Sequence, residues 1–176
     1  MAILRLQKSV PPSMGLVLLA LLAALPSVLF WPVDTLIFRD DDGQVVIREA
    51  MPQGRGFATR FIHSLELSPV EDEYVVQDGL IRQWRSRIQT HNAGMPILTL
   101  ARGRVYMAPP WFVFEGAIIS LAGFPLRVGN ESLGRNYLRI GRNPWQPLYR
   151  TFPDKRLHLA AWRCALYRMW PHGTKI

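Results

Sequence analysis

The sequence predicts an all-β fold, a small sandwich or a partly open barrel, that follows one N-terminal transmembrane helix. Three observations support this fold class: a long uncharged segment near the N-terminus, turn signals at short intervals after it, and β-branched and aromatic runs between the turns. We expect a cytoplasmic basic N-terminus at 1–13, a transmembrane anchor at 14–32, a β-rich periplasmic domain at 33–160 and a basic aromatic tail at 161–176.

The N-terminal segment has the pattern of a signal anchor. Arg5 and Lys8 precede the uncharged stretch 15–31. At about 1.5 Å per residue, a helix over this stretch nearly matches the hydrocarbon thickness of a bilayer. Basic residues before the segment place that side in the cytoplasm, and no pair of small residues fits a cleavage site well. The pattern predicts a single-pass protein of the inner membrane whose C-terminal domain is periplasmic.

Turn signals divide the rest of the chain into short segments. They include Asp78-Gly79, Pro109-Pro110 and Asn143-Pro144. The intervening runs are rich in β-branched and aromatic residues, and few gaps are long enough for an ordinary helix. The strands predicted from these runs are 45–48, 57–64, 74–76, 81–88, 104–107, 111–114, 125–128 and 137–140.

The apolar run 105–126 has two interpretations. Its one charged residue is Glu115, so the run could be a second membrane span that returns the C-terminus to the cytoplasm. Prolines and glycines interrupt the run, however, and a glutamate is expensive in lipid. Two buried strands around a turn therefore explain the run better.

The excess positive charge lies near the C-terminus. The net charge is +8, and residues 127–176 contain ten Lys or Arg and two acidic residues, whereas 1–126 contain eleven of each. This indicates contact with lipid headgroups or an acidic partner, although a solvated arginine-rich face has the same pattern. The stretch 156–170 fits either a last strand with a tail or a basic amphipathic helix. The residues expected to contact the membrane surface are Arg156, Arg163, Arg168, Trp162 and Trp170.

The sequence contains no cofactor motif and no cysteine-based metal site, and we expect no cofactor, no bound metal and no nucleic-acid partner. Cys164 is the one cysteine, so neither an internal disulfide nor a cysteine-based metal site can form. Phosphate loops, zinc-ligand spacings and nucleotide fingerprints are absent from the sequence. Arginines and aromatic residues interleave near the C-terminus as in nucleic-acid binders, but a membrane-anchored periplasmic domain argues against that role.

The densest polar group lies in the segment 61–74. If the segment is a strand, alternation places Phe61 and His63 on one face and Ser64 and Glu66 on the other. Pro69 then ends the ladder of hydrogen bonds, and an acidic triplet follows. The candidate site residues of this motif are His63, Ser64, Glu66, Ser68, Pro69, Glu71 and Asp72, joined by Gly94 and Pro96 farther along the chain.

Three chemical interpretations of the motif remain open. His63 and the carboxylates could bind a hard cation such as calcium, although a histidine bonded to a backbone carbonyl beside a solvated acidic turn has the same sequence. His63 and Ser64 could act as base and nucleophile, but adjacent strand residues point to opposite faces, and His91 could assist only through tertiary proximity. The favoured interpretation is a rigid polar element that recognises a partner protein, with Ser64 and Ser68 tying the turn.

The motif resembles the signature of a bacterial family known as domain of unknown function 1850. The run 63–74 is similar to its most specific element, and weaker similarities at 78–80, 92–96 and 124–129 follow in the same order. The segment 92–96 resembles a Gly-Ala-Gly-aliphatic-Pro element, with Asn92 in place of the first glycine. The resemblance covers about residues 36–160.

The resemblance implies a role in solute uptake and supplies no catalytic residue. Genes of the family commonly neighbour TRAP-type transporters of the TAXI class, which take up small organic solutes with an extracytoplasmic binding protein. We therefore expect a membrane-anchored periplasmic accessory protein, not an enzyme, whose partner is a TRAP-type permease or solute-binding protein. The alternative is an independent periplasmic domain that binds a ligand or a divalent cation.

Overall fold

The computed structural model describes residues 12–90 and 103–169. The fold of this part of the chain is built from eleven strands. Short runs of β-branched and aromatic residues form these strands, and glycine, proline or aspartate residues follow several of them. Helix α1 is Pro12–Leu29, helix α2 is Leu148–Thr151, and the strands are β1 Pro32–Arg39, β2 Val45–Ala50, β3 Gly56–Ile62, β4 Pro69–Gln77, β5 Leu80–Ile88, β6 Arg104–Ala108, β7 Trp111–Leu121, β8 Gly123–Arg127, β9 Asn136–Ile140, β10 Gln146–Pro147 and β11 Arg156–Ala165.

The strands form two sheets in which each pair is antiparallel. Sheet A has the order β2-β1-β11-β8, and sheet B has the order β10-β9-β3-β4-β5-β7-β6. The middle of sheet A is a long-range pair. Strand β1, near the start of the domain, pairs along its whole length with β11, near the end of the domain. The all-β part of the predicted fold class is therefore confirmed.

The predicted transmembrane anchor is not confirmed. In the described part of the chain, no helix is both long enough and apolar enough to cross a membrane. Helix α1 contains eighteen residues with Pro26 inside it, and at about 1.5 Å per residue it is shorter than the roughly 30 Å hydrocarbon core of a bilayer. The prediction of a transmembrane helix at 14–32 and of a single-pass inner-membrane protein is therefore wrong.

The core lies between the two sheets. Sheet A contributes Leu36 and Phe38 of β1, where Thr35 and Ile37 on the other face are also buried, and Leu157 and Leu159 of β11, which alternate with more exposed residues. Sheet B contributes apolar side chains from its central strands, namely Phe57, Tyr74, Val76, Ile81, Leu138 and Ile140. Full burial of one such aliphatic side chain contributes about 1.5–3 kcal/mol, so these contacts are the main attraction between the sheets.

Two aspartates fasten the sheets together at one end. Asp78 and Gly79 form the tight turn between β4 and β5, and both have positive φ, as a type I′ hairpin turn requires. Their backbone N–H groups donate to the Asp34 carboxylate of sheet A at 3.1 and 2.9 Å. Arg163 of β11 donates to the Asp78 carboxylate at 2.7 Å. The turn that the sequence predicts is thus also a contact between the sheets.

Gly129 is the junction between the sheets at the other end. It follows β8 of sheet A, and its N–H donates to the buried Asn136 side chain of sheet B at 2.7 Å. A Cβ atom at this position would collide with the carbonyl oxygens of Leu133 and Gly134. These are backbone atoms, so the loop cannot make room without breaking its own hydrogen bonds.

Several sequence expectations are refined by the strand bounds. The run 105–126 forms strands, which excludes the second membrane span, but β6 is an exposed edge strand instead of a buried one. Strand β11 continues to Ala165, and a 3₁₀ helix at Leu166–Met169 follows it. The tail predicted at 161–176 therefore begins within a strand, because β1 provides pairing partners as far as Ala165.

We predict that Gly129→Ala destabilises the fold. The added methyl group must displace backbone, and such overpacking costs about 1–3 kcal/mol of the free energy of unfolding. Thermal and denaturant unfolding followed by circular dichroism measure the loss. Gly15→Ala is the matched control, because a Cβ atom at Gly15 meets nothing within 4 Å. Equal stability of the two variants would contradict the role given to Gly129.

Candidate functional site

The hairpin between β3 and β4 carries the motif that the sequence singles out. Strand β3 ends at Ile62, two residues before the predicted end, and residues 63–68 form the loop, which we call the hairpin tip. The predicted alternation of His63, Ser64 and Glu66 across a strand is therefore wrong. The His63 N–H bonds to the Ser68 carbonyl at 2.9 Å, which is one position beyond the pair Ile62 and Pro69, and the chain turns after this bond.

His63 holds the conformation of the hairpin tip. Its ring Nδ1 accepts the Glu66 N–H at 3.3 Å, and its carbonyl accepts the Leu67 N–H at 2.9 Å. The Ser68 hydroxyl bonds to the Thr90 hydroxyl at 2.7 Å, which ties the tip to the end of β5. The histidine is thus bonded to a backbone N–H group, whereas the sequence suggested a backbone carbonyl.

The tip presents two leucines outward. The exposed fractions of Leu65 and Leu67 are 79% and 77%. Leu67 has φ +50°, a left-handed conformation that is rare for a large side chain. The hydrogen bonds around His63 offset this strain and keep the leucines away from the core. The arrangement is an apolar knob on a fixed turn.

The acidic triplet lies inside strand β4 and is not a solvated turn. Pro69 begins β4, so Glu71, Asp72 and Glu73 all pair with neighbouring strands. Glu71 and Glu73 point to the outer face of sheet B, and Asp72 points to the face that meets sheet A. The alternation of a strand divides the three carboxylates between two environments.

Glu71 is a buried carboxylate held by two arginines. Its side chain is 3% exposed, and it receives hydrogen bonds from Arg60 of β3 at 2.7 Å and from Arg87 of β5 at 2.5 Å. Both arginines stand directly opposite Glu71 in the strand register. A carboxylate without water needs such partners, because an unpaired buried charge is strongly unfavourable.

These pairs continue into a line of alternating charges, which we call the outer ladder. Arg87 also donates to Glu73 at 2.8 Å, and Arg85 reaches Glu73 at 3.4 Å and Glu115 at 2.7 Å. Arg104 of the edge strand β6 completes the line at Glu115. Hydrogen bonds from Arg85 and then Arg104 hold the pKa of Glu115 below its usual value. The outer ladder consists of Arg60, Glu71, Arg87, Glu73, Arg85, Glu115 and Arg104.

Tryptophans support the arginines of this face. The Trp145 ring lies 4.3 Å from the Arg60 guanidinium and 4.5 Å from that of Arg139. Trp84 lies 4.1 Å from Arg85. Contacts of this kind hold a guanidinium in place while leaving its charge available. None of these arginines was predicted from the sequence as a site residue. The signal that could have found them is the spacing of Glu71 and Glu73 and of Arg85 and Arg87, because residues two positions apart lie on the same face of a strand.

Asp72 is part of a second polar group on the inner face. It accepts a hydrogen bond from Gln83 at 2.8 Å and lies beside Ser86 and Tyr74. Burial raises the pKa of Asp72, and its hydrogen bonds offset this only in part. Burial, followed by the negative charge of Asp72, raises the pKa of Tyr74. Asp72 is therefore a carboxylate whose ionised form is disfavoured by folding.

The positions of the carboxylates can be compared with the cation site that the sequence left open. Among residues 12–90 and 103–169, no group of three or more His, Cys, Asp or Glu is placed to hold a metal ion. Glu71 and Glu73 point at arginines, and Asp72 is on the opposite face from both. His91, Gly94 and Pro96 lie outside the described residues.

The C-terminal residues predicted to contact a membrane surface do not share one face. Arg156 and Trp162 are on the outer side of β11, where Trp162 is 54% exposed. Arg163 points the other way and pairs with Asp78, and Arg168 bonds to the Tyr167 hydroxyl at 3.1 Å. Trp170 lies outside the described residues.

We predict that Glu71→Gln lowers the free energy of unfolding by about 1–3 kcal/mol, because Arg60 and Arg87 lose their shared counter-charge. Glu131→Gln is the matched control, since its ion pair with Arg150 is about two-thirds exposed on both sides and should change stability by less than about 0.5 kcal/mol. Denaturant unfolding measures both. Losses of equal size would show that the buried ion pairs of Glu71 stabilise the fold no more than an exposed ion pair does.

We predict that Asp72→Asn stabilises the protein at neutral pH. The raised folded-state pKa of Asp72 means that its stabilising contribution is complete below about pH 4, the unfolded pKa, and is lost as the pH rises through the folded pKa. Asparagine does not ionise and avoids this loss. The difference in melting temperature from wild type should shrink between pH 7 and pH 4.

The exposed Asp42→Asn is the control for this comparison and should change the free energy of unfolding by less than about 0.5 kcal/mol. An Asp72→Asn variant that is less stable than wild type at pH 7 would show that hydrogen bonds to the carboxylate outweigh its burial.

A protein-family model matches the central part of the chain. The family model described as Domain of unknown function (DUF1850) matches residues 57–146, which include the hairpin tip, the whole of β4 and β5 and every residue of the outer ladder. No curated protein and no solved structure matches the chain. The match spans just over half of the 176 residues. The chain is therefore a member of the domain of unknown function 1850 family.

Proposed function

We propose that this protein is a non-enzymatic accessory component of a TRAP-type uptake system of the TAXI class, and that its hairpin tip contacts a subunit of the transporter. The observation that carries the proposal is the apolar knob of Leu65 and Leu67 on a turn fixed by His63. Two large apolar side chains that stay exposed side by side on an ordered turn form a small apolar patch that the surface of a partner protein can cover.

The fixed turn favours binding for an entropic reason. A flexible loop loses conformational freedom when it docks, and this loss weakens the complex. The bonds of His63 and the Ser68–Thr90 contact order the tip before a partner arrives. Two leucines presented in this way fit a shallow apolar pocket of a protein and offer no hydrogen-bonding group to a polar solute.

The kind of partner is inferred from the family. Genes of the domain of unknown function 1850 family commonly neighbour TRAP-type transporters of the TAXI class, and a TRAP-type permease or solute-binding protein is therefore the partner that we propose. The His63 ring nitrogen Nδ1 accepts the Glu66 N–H, so the neutral ring carries its proton on Nε2 and has no free lone pair with which to act as a base toward Ser64. This supports a contact surface in preference to a reactive centre.

A pull-down of the intact, tagged protein from detergent extracts of its own host tests the proposal. We expect a permease or solute-binding protein of the TRAP type to co-purify with wild type. The double variant Leu65→Ser and Leu67→Asn should recover at least about tenfold less of it, because the knob is removed while asparagine still tolerates the left-handed turn.

Leu133→Ser is the matched control, since Leu133 is 59% exposed in a different loop. It should recover as much partner as wild type, and all variants should keep the wild-type melting temperature. The proposal fails if no TRAP subunit co-purifies with wild type, or if the double variant retains it. An independent ligand-binding domain would give the first of these results.

A further inference from the structure

We propose that a groove at the far end of sheet B binds a small organic carboxylate. The groove has a volume of about 560 Å³, within the usual range for small-molecule sites. It lies where the loop before β3 meets the loop after β9, at the opposite end of β3 from the hairpin tip. Gly141 bonds to Gly56 there at 2.8 Å and joins the two loops.

Arginines dominate the charge of the groove. Arg55, Arg139 and Arg142 line it, and Glu73 is its one carboxylate among the described residues. Arg55 lies against Gly141, which has φ +60° and leaves room for the arginine because it has no side chain. Arg55 also reaches Glu49 at 3.6 Å, so part of its charge is already balanced.

The groove keeps an excess of positive charge at Arg139 and Arg142 after its carboxylate is counted. Arg139 forms a long ion pair with Glu73 at 3.9 Å and shares this carboxylate with Arg87 at 2.8 Å and Arg85 at 3.4 Å, so Glu73 balances the charge of Arg139 only in part. Arg142 is exposed and has no ion pair within the described ranges 12–90 and 103–169. Two guanidinium groups at one groove are a site for an anion.

The walls of the groove favour an organic anion over a hydrated inorganic one. Trp84, Ala58 and Val75 are among the lining residues and give the groove an apolar part. An anion without an apolar part gains nothing from these surfaces, whereas a carboxylate with a hydrocarbon or aromatic body buries that body against them. The planar guanidinium also matches a carboxylate with two parallel hydrogen bonds.

This inference rests on the groove alone and does not depend on a transporter partner. The hairpin tip and the groove lie at opposite ends of β3 and have no residue in common. Loss of one function therefore need not affect the other, and the variants that test them are different.

Titration calorimetry of the full-length protein tests the groove with four probes: succinate, benzoate, the neutral succinamide and inorganic phosphate. We expect saturable binding of a carboxylate below about 10 mM, no binding of succinamide and weaker binding of phosphate. Arg139→Gln and Arg142→Gln should each weaken carboxylate binding at least about tenfold, and added salt should weaken it in wild type.

Arg150→Gln is the matched control, because Arg150 is an exposed arginine outside the groove. It should bind the carboxylate as wild type does. The melting temperature of each variant shows that it is folded, which keeps a negative result interpretable. The inference is overturned if neither carboxylate binds, if succinamide binds equally well, if phosphate binds more tightly, or if the two groove variants bind like the control.

Discussion

The ion pairs of Glu71 are the interaction on which sheet B depends. A buried carboxylate between three strands is tolerated only if both neighbours present a cation at its level, and β3 and β5 do so with Arg60 and Arg87. A shift of one residue in either pairing would turn Glu71 or its arginine toward the core. The charges therefore favour the same register as the apolar core, in which Phe57 and Tyr74 stack at 4.7 Å.

The alternation of side chains along strand β4 places the three carboxylates of its acidic segment in two different environments. Glu71 and Glu73 belong to the outer ladder, whereas Asp72 belongs to the inner face beside Tyr74. The pairing of β4 with β5 shifts register between Glu73 and Tyr74. Their partners in β5 are Arg85 and Gln83, and Trp84 lies between these two. A bulge leaves an extra residue in one strand, and here that residue is Trp84 of β5, which lines the groove.

The strands could be predicted from the sequence because their limits are local. Turn residues such as Asp78-Gly79 act through their own backbone preferences, so the β4–β5 hairpin is confirmed near its predicted position. The site could not be predicted, because it depends on register. The regular hairpin that pairs Gln77 with Leu80 would place Glu73 opposite Trp84, and only the irregularity moves Arg85 into that place.

Contacts between segments that lie far apart in the sequence could not be predicted either. The pairing of Thr35 with Trp162 and the bond from Asp34 to the turn at Gly79 join segments that no local pattern connects. The basic C-terminal residues look like one cluster in the sequence, yet a strand sends Arg163 and Trp162 to opposite sides. The transmembrane prediction treated apolar composition as sufficient, whereas helix α1 ends at Leu29 and the chain enters β1 at Pro32.

The outer ladder also explains why one end of sheet B remains cationic. The register that buries Glu71 brings Arg87 close enough to bond to both Glu71 and Glu73. Glu73 then forms only a long ion pair with Arg139, at 3.9 Å, and the Arg139 guanidinium lies over Trp145 with its charge balanced in part. A carboxylate in the groove would complete the alternation of charges that the ladder begins. The buried ion pair that fixes the sheet thus leaves the positive charge available where the groove opens.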